Sequence, residues 1–273
     1  MTRALIMAGG AAGISAAFNT PLAGVIFAIE EMNRSYEQRT SGTLLIAVVL
    51  AGVTALVIQG NYTYFGQTDA SLPLNEAWIA VLLCGVIGGL FGGLFAQTLI
   101  YGSSKLFSHA RNRPVQLAFI CGLGVSLVGY LSNGQSFGTG YEEAKHLVTA
   151  SSAETVHASF PLWKMLATTF SYWSGIPGGI FAPSLAVGAG IGADLALWLP
   201  HLPFAAIVIL GMAGYFTGVV QTPITAFVII MEMTSSHSLL LPLMATALIA
   251  RGVSGLVCPR PIYQALADNF LRR

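Results

Sequence analysis

The chain has 273 residues, of which 55% are hydrophobic and only 8% are charged, and its formal net charge is +1. Soluble domains carry about 25% charged residues, so this composition excludes an ordinary soluble protein. A near-neutral chain without a basic, aromatic-interleaved patch is also not expected to bind nucleic acid. The composition predicts a multi-pass integral protein of the cell membrane, built of α-helices within the lipid bilayer.

The apolar segments fall into two classes. A helix needs about 20 apolar residues to cross the hydrocarbon core of a bilayer. Four segments approach this length: 42–59, 77–100, 114–131 and 203–220. Shorter or Gly/Pro-interrupted segments cover 20–31, 162–172, 180–199, 223–233 and 238–257. Short segments of this kind are typical of helices that end inside the membrane, where their backbone is buried in protein or lines a cavity.

The basic residues predict the orientation of the chain. Lysine and arginine are concentrated in segments 32–41 and 101–113 and at the C-terminus, whereas segment 60–76 contains neither. Because cytoplasmic loops carry an excess of these residues, we expect the three basic regions to face the cytoplasm. The N-terminal run continues into the next motif without a polar break, so we interpret it as part of the folded body and not as a removed signal peptide.

An internal repeat relates the two ends of the chain. The segment NTPLAGVIFAIEEM (19–32) matches QTPITAFVIIMEM (221–233), and in both copies a glutamate, Glu30 or Glu232, lies nine residues after the proline. Repeated halves are common in transporters, often with inverted topology. Little chain precedes the first copy, so we expect an incomplete first repeat. We assign 1–59 to the end of the first half and 60–273 to the second half.

A glycine pattern predicts one close helix contact. The run GVIGGLFGGLF (85–95) places Gly88 and Gly92, and also Gly89 and Gly93, at the G-x-x-x-G spacing that lets helix backbones approach. We interpret these glycines as a packing face without chemistry.

The stretch SGIPGGIFAPSLAVGAG (174–190) places helix breakers directly before a helical run. If a helix begins at Ile180 with Gly179 as its cap, the N–H groups of Ile180 and Phe181 have no intrahelical acceptor. Pro183 has no N–H group, but in the first turn this costs no intrahelical hydrogen bond. Gly178 and Gly179 carry no side chain, so an anion can approach the positive helix end closely. The alternative is an ordinary Gly/Pro turn between two membrane helices.

Two adjacent glutamates end the first repeat copy. An ionisable group at membrane depth is a functional hypothesis by default, and burial favours the protonated form of a carboxyl group. Glu31 is therefore a candidate proton carrier, whereas Glu30, with its counterpart Glu232, is interpreted as a structural helix-end residue. The alternative is that both glutamates simply lie at the cytoplasmic boundary beside Arg34.

Four motifs, in this order, resemble the CLC family of chloride channels and chloride/proton antiporters: AAFNTPLAGVIFAIEEM, SGIPGGIFAP, TPITAFVIIMEMT and RPIYQAL. The resemblance runs from about Ala8 to Ala267. It implies a CLC-type inverted-repeat bundle of short and tilted helices, in which the N–H groups of Ile180 and Phe181 hold a chloride ion. It also implies that the hydroxyl of Tyr263 adds a donor and that Glu31 accepts protons on the cytoplasmic side. Without the motif, Tyr263 would be interpreted as an interfacial anchor.

The resemblance also implies what precedes the chain. The family carries a Gly-Ser-Gly-Ile-Pro turn and a Gly-Lys/Arg-Glu-Gly-Pro stretch upstream, and neither is found near this N-terminus. We therefore expect an N-terminally truncated CLC protein or one piece of a split protein. Ser174 belongs to the second half of the repeat and receives no ligand role.

Two functions of different classes remain open at this stage. The first is transmembrane chloride transport, with H+/Cl− exchange, in a homodimer. The second is a transport-inactive fragment that only dimerises with, or modulates, a full-length subunit. Cysteines and histidines show no metal-ligand spacing, and no nucleophile lies at a fixed spacing from a base, so we expect no metal, no cofactor and no enzymatic activity.

Overall fold

The computed structural model describes residues 2–33, 38–73, 76–150, 158–176 and 178–271. Within these residues the chain forms helices and no strand. The α-helices are α1 Thr2–Phe18, α2 Pro21–Phe27, α3 Gln38–Gln59, α4 Ala77–Asn112, α5 Pro114–Leu131, α6 Tyr141–Thr149, α7 Phe160–Trp173, α8 Phe181–Ala196, α9 Phe204–Val220, α10 Pro223–Thr234, α11 Leu240–Val257 and α12 Ile262–Leu271. A π-helical segment, Ala28–Asn33, extends α2, and a 3₁₀ turn, His237–Leu239, precedes α11.

The two copies of the sequence repeat adopt the same backbone turn. Asn19 and Gln221 both have positive φ angles, 53° and 60°, a conformation that is uncommon for residues other than glycine but that asparagine adopts more readily than most. Each amide then donates to a carbonyl just beyond the next long helix, Asn19 to Tyr62 at 2.7 Å and Gln221 to Cys258 at 2.6 Å. The order amide, Thr, Pro, which both copies share, thus encodes a sharp turn followed by a proline at the first helical position. The division of the chain after residue 59 stays a prediction.

Helix α9 is the centre of the bundle, packed against α4, α8 and α11. It is apolar on all sides, and an all-round apolar helix is expected to be buried. Its residues from Ala206 to Val220 are all buried. The close packing around α9 fixes the position of α8, whose first residues form the candidate site.

The glycine prediction for α4 is confirmed. A Cβ atom added to Gly88 would lie 2.5 Å from the carbonyl carbon of Gly214, and one added to Gly92 would lie 2.5 Å from the carbonyl oxygen of Tyr215, both on α9. On the neighbouring face of α4, a Cβ atom added to Gly89 would lie 2.7 Å from the carbonyl oxygen of Ala250 on α11. The two G-x-x-x-G pairs therefore pack against two different helices.

Four helices are long and apolar enough to cross a membrane: Gly42–Gln59, Ala77–Leu106, Pro114–Leu131 and His237–Val257. Three of them are among the four predicted. The predicted segment 203–220 forms the 17-residue helix α9, which is shorter than the four spanning helices and is buried by protein. Segment 238–257 was predicted to be a shorter segment, but together with the 3₁₀ turn it is long enough to cross the membrane. The chain is thus an all-α integral membrane protein.

Two element predictions were wrong. Helix α4 does not end at residue 100: the basic segment 101–113 was predicted to be a loop, but the helix continues to Asn112, just before Pro114. The sequence around Glu142, Glu143 and Lys145 also predicts a loop, whereas it forms helix α6. Its two acidic residues lie in the first turn, where their negative charges interact favourably with the positive end of the helix dipole. Ala144, Leu147 and Val148 are buried on one face of this helix.

Candidate anion-binding site

The first turn of α8 presents unpaired backbone N–H groups. The helix begins at Phe181 with Ile180 as its cap, so the prediction that Gly179 caps a helix starting at Ile180 was wrong by one residue. The first intrahelical bond of this turn runs from the N–H of Ser184 to the carbonyl of Ile180. The N–H groups of Ile180, Phe181 and Ala182 precede this bond, and the described residues offer them no acceptor. Ala182 adds a third free donor that the sequence prediction did not name, although its N–H also lacks an acceptor when the helix begins at Ile180.

An open cavity of about 480 Å³ lies beside these amides, lined in part by Gly178, Gly179, Ile180 and Pro183. A Cβ atom added to Gly178 or Gly179 would meet no heavy atom within 4 Å. The two glycines are therefore not required by packing in the described part of the chain. They leave space next to the helix N-terminus, as the sequence predicted.

Two other helix N-termini, in contrast, are closed by carboxylates. Glu232 accepts hydrogen bonds from the backbone N–H groups of Leu22 (3.1 Å) and Ala23 (2.7 Å) at the start of α2. Glu30 accepts from the N–H groups of Ile224 (3.1 Å) and Thr225 (2.6 Å) at the start of α10. Each repeat copy thus caps the helix of the other. These contacts support the structural interpretation of Glu30 and Glu232, and they leave α8 as the open N-terminus of the three.

Tyr263 lies close to the side chain of Phe181, the first residue of α8. The ring centroid of Tyr263, on α12, lies 6.3 Å from that of Phe181 and 6.3 Å from that of Phe27. Burial raises the pKa of the Tyr263 hydroxyl above its ordinary value, and the negative charge of Glu31 raises it further. The hydroxyl therefore stays protonated at neutral pH and is available as a neutral donor.

Glu31 lies in the π-helical segment that follows α2. The second repeat copy has no such segment, because α10 continues as a regular α-helix to Thr234. Short π-helical segments are rare and occur frequently at functional sites. Glu31 is close enough to Tyr263 to act on it electrostatically, so the structure brings the candidate proton carrier near the candidate chloride ligand. The alternative pairing with Arg34 concerns a residue outside the described ones.

Sequence reasoning missed one charged residue on the wall of the cavity. Lys164, on α7, is only 1% exposed and lines the same cavity as Ile180. The available signal was a single lysine within the otherwise apolar run FPLWKMLATTF (160–170), since an ionisable residue in such a run is a functional hypothesis by default.

Comparisons with known proteins identify the family of the chain. The sequence profile of the family described as "Voltage gated chloride channel" matches residues 1–255. The H(+)/Cl(-) exchange transporter ClcA of Yersinia pestis is 32% identical over 290 aligned positions, covering 98% of this chain. The transporter of the same name from Vibrio parahaemolyticus is 30% identical, again over 98% of this chain.

Solved structures show the same architecture. A slow cyanobacterial Cl−/H+ antiporter is 27% identical with a TM-score of 0.77, covering 99% of this chain and 65% of its own. A CLC-type fluoride/proton antiporter is 25% identical with a TM-score of 0.84, covering 96% of this chain and 65% of its own. A eukaryotic CLC transporter, 22% identical with a TM-score of 0.74, shares the fold.

The chain spans 58% of the length of the Yersinia relative and 60% of the Vibrio relative. The profile match covers α8 and the glutamate pair, whereas Tyr263 lies beyond its last residue, 255. The extent of the profile match and the shared architecture lead to one conclusion: this chain belongs to the voltage gated chloride channel family.

Proposed function

We propose that the chain takes part in transmembrane chloride transport coupled to protons, as a CLC-type H+/Cl− exchanger or as the C-terminal portion of one. The observation that carries this proposal is the open N-terminus of α8, with unpaired N–H groups at Ile180 and Phe181 beside a cavity. The names of the two ClcA relatives support the choice of chloride and protons. The proposed activity is transport and not enzymatic catalysis.

The proposed chloride site contains no formal positive charge of its own. Backbone N–H groups and the positive end of the helix dipole stabilise an anion moderately. The hydroxyl of Tyr263 adds a neutral hydrogen-bond donor close to Phe181. A site of this strength holds an anion and releases it, whereas a directly coordinating lysine or arginine would slow the release.

Glu31 is the proposed proton acceptor. Glu30 is engaged at the N-terminus of α10, so its oxygens are hydrogen-bonded to backbone groups. Glu31 lies in the following π-helical turn, within electrostatic reach of Tyr263. Protonation of Glu31 and occupation of the nearby anion site are favourable together, because the proton removes a negative charge from the neighbourhood of the anion.

Chloride efflux from liposomes tests the proposal. Gly179→Val fills the open space beside the amides and is expected to lower the efflux rate at least about tenfold relative to the unchanged chain. Gly9→Val is the matched control, because a Cβ atom there also meets no heavy atom within 4 Å but lies on α1, away from the cavity. Equal efflux for the two variants would contradict the assigned site.

A second candidate function is supported by the share of the relatives that this chain spans, 58% of the Yersinia protein. We also propose that the chain forms a homodimer through the repeat segments and the helices after them, roughly 17–31, 42–58, 222–232 and 238–256. In this second reading it dimerises with, or modulates, a full-length subunit without transporting ions itself. Co-purification with a full-length CLC subunit, together with no chloride efflux from liposomes that contain this chain alone, would favour it.

A further inference from the structure

The turn between α5 and α6 holds a buried cation. The Nζ atom of Lys164 donates hydrogen bonds to the carbonyl oxygens of Ser136 (3.0 Å), Phe137 (3.0 Å) and Gly138 (2.8 Å). These bonds use all three donors of an ammonium group. The carbonyl groups are neutral, so they satisfy the hydrogen bonds of the lysine without cancelling its charge.

The described residues contain no carboxylate in ion-pair contact with Lys164. Burial lowers the pKa of Lys164 to about 8, and the negative charge of Glu143, in the first turn of α6, opposes this shift, so the ammonium is mostly charged at neutral pH. A charge buried without an ion-pair partner is costly, and such charges are usually paired or functional. Lys164 therefore contributes a positive potential to the cavity that it lines together with Ile180.

The same hydrogen bonds orient the backbone of the turn. In a planar trans peptide the N–H group points away from the carbonyl of the same peptide unit, and the described residues contain no cis peptide. The carbonyls of Phe137 and Gly138 point at Lys164, so the N–H groups of Gly138 and Thr139 point away from it. The described residues provide no acceptor for either N–H group, although the N–H of Phe137 does find one, at Gly134.

Gly138 and Thr139 line the cavity that also reaches Gly179 and Ile180. Gly138 has a φ angle of +62°, so adjacent peptide units turn relative to each other. Successive N–H groups in a turn with a left-handed residue form a concave anion-binding arrangement. The arrangement lies outside any helix N-terminus, and it has a fully buried ammonium behind it.

We propose that the backbone N–H groups of Gly138 and Thr139, supported by the buried ammonium of Lys164, form a second site for a small monovalent anion in the cavity that leads to α8. Two N–H donors and one nearby unit charge suit a halide or nitrate. Only the role of this second site rests on the proposed function: in a transporter, the site would raise the local concentration of anions beside Ile180. Its existence is independent of whether this chain transports ions.

Bromide binding tests the site, because anomalous scattering from bromide-soaked crystals gives the position of each bound ion. The unchanged chain is expected to show one bromide at the N–H groups of Gly138 and Thr139 and another at α8. In Lys164→Met, the bromide affinity of the first position is expected to fall about tenfold or more, while α8 keeps its ion. Lys145→Met is the matched control, since Lys145 lies over the Tyr141 ring on nearby α6 and its loss should leave both ions in place.

A second variant covers the case in which Lys164→Met does not fold, since the substitution leaves three carbonyls without their donor. Thr139→Pro removes one N–H donor and keeps the lysine, and it is expected to weaken the same bromide position. No bromide at Gly138 and Thr139 in the unchanged chain, with bromide present at α8, would overturn this site and leave the proposed chloride site standing. Bromide at Gly138 and Thr139 but not at α8 would overturn the proposed chloride site and leave this second site standing. Unaltered bromide binding in Thr139→Pro and in a folded Lys164→Met would also overturn the proposal.

Discussion

The carboxylate of Glu232 accepts a 2.7 Å hydrogen bond from the backbone N–H of Ala23, a residue 209 positions earlier in the chain. Glu30 makes the reciprocal contact with Thr225 across 195 positions, through both the backbone N–H and the hydroxyl. The two copies of the repeat are therefore joined by two crossed helix caps. This arrangement explains why a glutamate follows the proline at the same spacing in both copies.

Removing either cap is expected to destabilise the fold. In Glu30→Gln or Glu232→Gln, a neutral amide with one oxygen and one NH2 group replaces a carboxylate that accepts through both oxygens, which is expected to cost about 1–3 kcal/mol of stability. The thermal unfolding midpoint, followed by the loss of the folded peak in size-exclusion chromatography, measures the effect. Glu76→Gln is the control, because Glu76 is exposed and makes no side-chain cap. A midpoint unchanged in both cap variants would contradict the structural role.

Close packing of α4 on α9 gives a second prediction. Gly92→Ala would place a Cβ atom 2.5 Å from the Tyr215 carbonyl oxygen and 2.8 Å from the Cα atom of Gly218. Because these are backbone atoms in a packed interface, the helices must separate, and overpacking of this kind typically costs about 1–3 kcal/mol. The same substitution at Gly122, where a Cβ atom meets nothing within 4 Å, should leave the unfolding midpoint nearly unchanged. Equal midpoints for the two variants would argue against the close contact.

The hydroxyl of Tyr263 is expected to contribute one hydrogen bond to a bound anion. Tyr263→Phe keeps the ring contacts with Phe27 and Phe181 and removes only the donor. A neutral hydrogen bond contributes about 0.5–1.5 kcal/mol, so bromide affinity at α8 should fall about two- to twelvefold, measured by calorimetric titration. Tyr130→Phe, on exposed Tyr130, serves as the control. An affinity identical to that of the unchanged chain would exclude the hydroxyl as a ligand.

Tyr263 also gives a prediction for pH. Its pKa in the folded protein lies above the ordinary value of 10.0, because burial and the charge of Glu31 disfavour the phenolate. An acid whose folded-state pKa is raised contributes fully to stability below its unfolded pKa, about 10 for tyrosine, and loses that contribution as pH rises from there through the folded-state pKa. Stability should therefore fall more steeply above pH 10 in the unchanged chain than in Tyr263→Phe. Parallel stability curves in this range would count against the buried, neutral hydroxyl.

Proton coupling is expected to depend on Glu31. In liposomes where chloride efflux and proton movement are followed together, Glu31→Gln should abolish the proton movement and spare the chloride efflux, because an amide does not titrate. Glu142→Gln, an exposed glutamate on α6, provides a matched control. Both fluxes persisting unchanged in Glu31→Gln would reject Glu31 as the proton carrier.

Many of the helices could be predicted from runs of apolar residues and from the glycines and prolines that interrupt them. The helix at 114–131 agrees with its prediction to the residue because Pro114 marks its first position. The helix at 77–100 was predicted too short, because its apolar run ends there while the helix itself continues to Asn112. The short amphipathic helix α6 was missed because its charged first turn masks the three residues it buries. Burial against distant elements decided the case of α6, and local composition does not report it.

The candidate site also has features that the sequence predicted and features that it did not. Free amides near Ile180 followed from the glycine and proline spacing together with the rule that a helix start lacks acceptors. The place of Tyr263 beside Phe181 came only from the family resemblance, because the two residues are far apart in the chain. The cap formed by Glu232 on α2 was not predictable from spacing, since it joins residues at opposite ends of the fold. Long-range pairing of this kind requires the three-dimensional structure.

The crossed caps have a consequence for biosynthesis. A ribosome completes α2 about two hundred residues before it reaches Glu232, so the N–H groups of Leu22 and Ala23 have no protein cap during most of translation. Until then, water or the translocation machinery must satisfy these donors, because lipid offers no acceptor. Glu30, by contrast, has already been synthesised when α10 leaves the ribosome, so the N-terminus of α10 can be capped at once. Both caps can therefore form only after the second copy of the repeat has been synthesised.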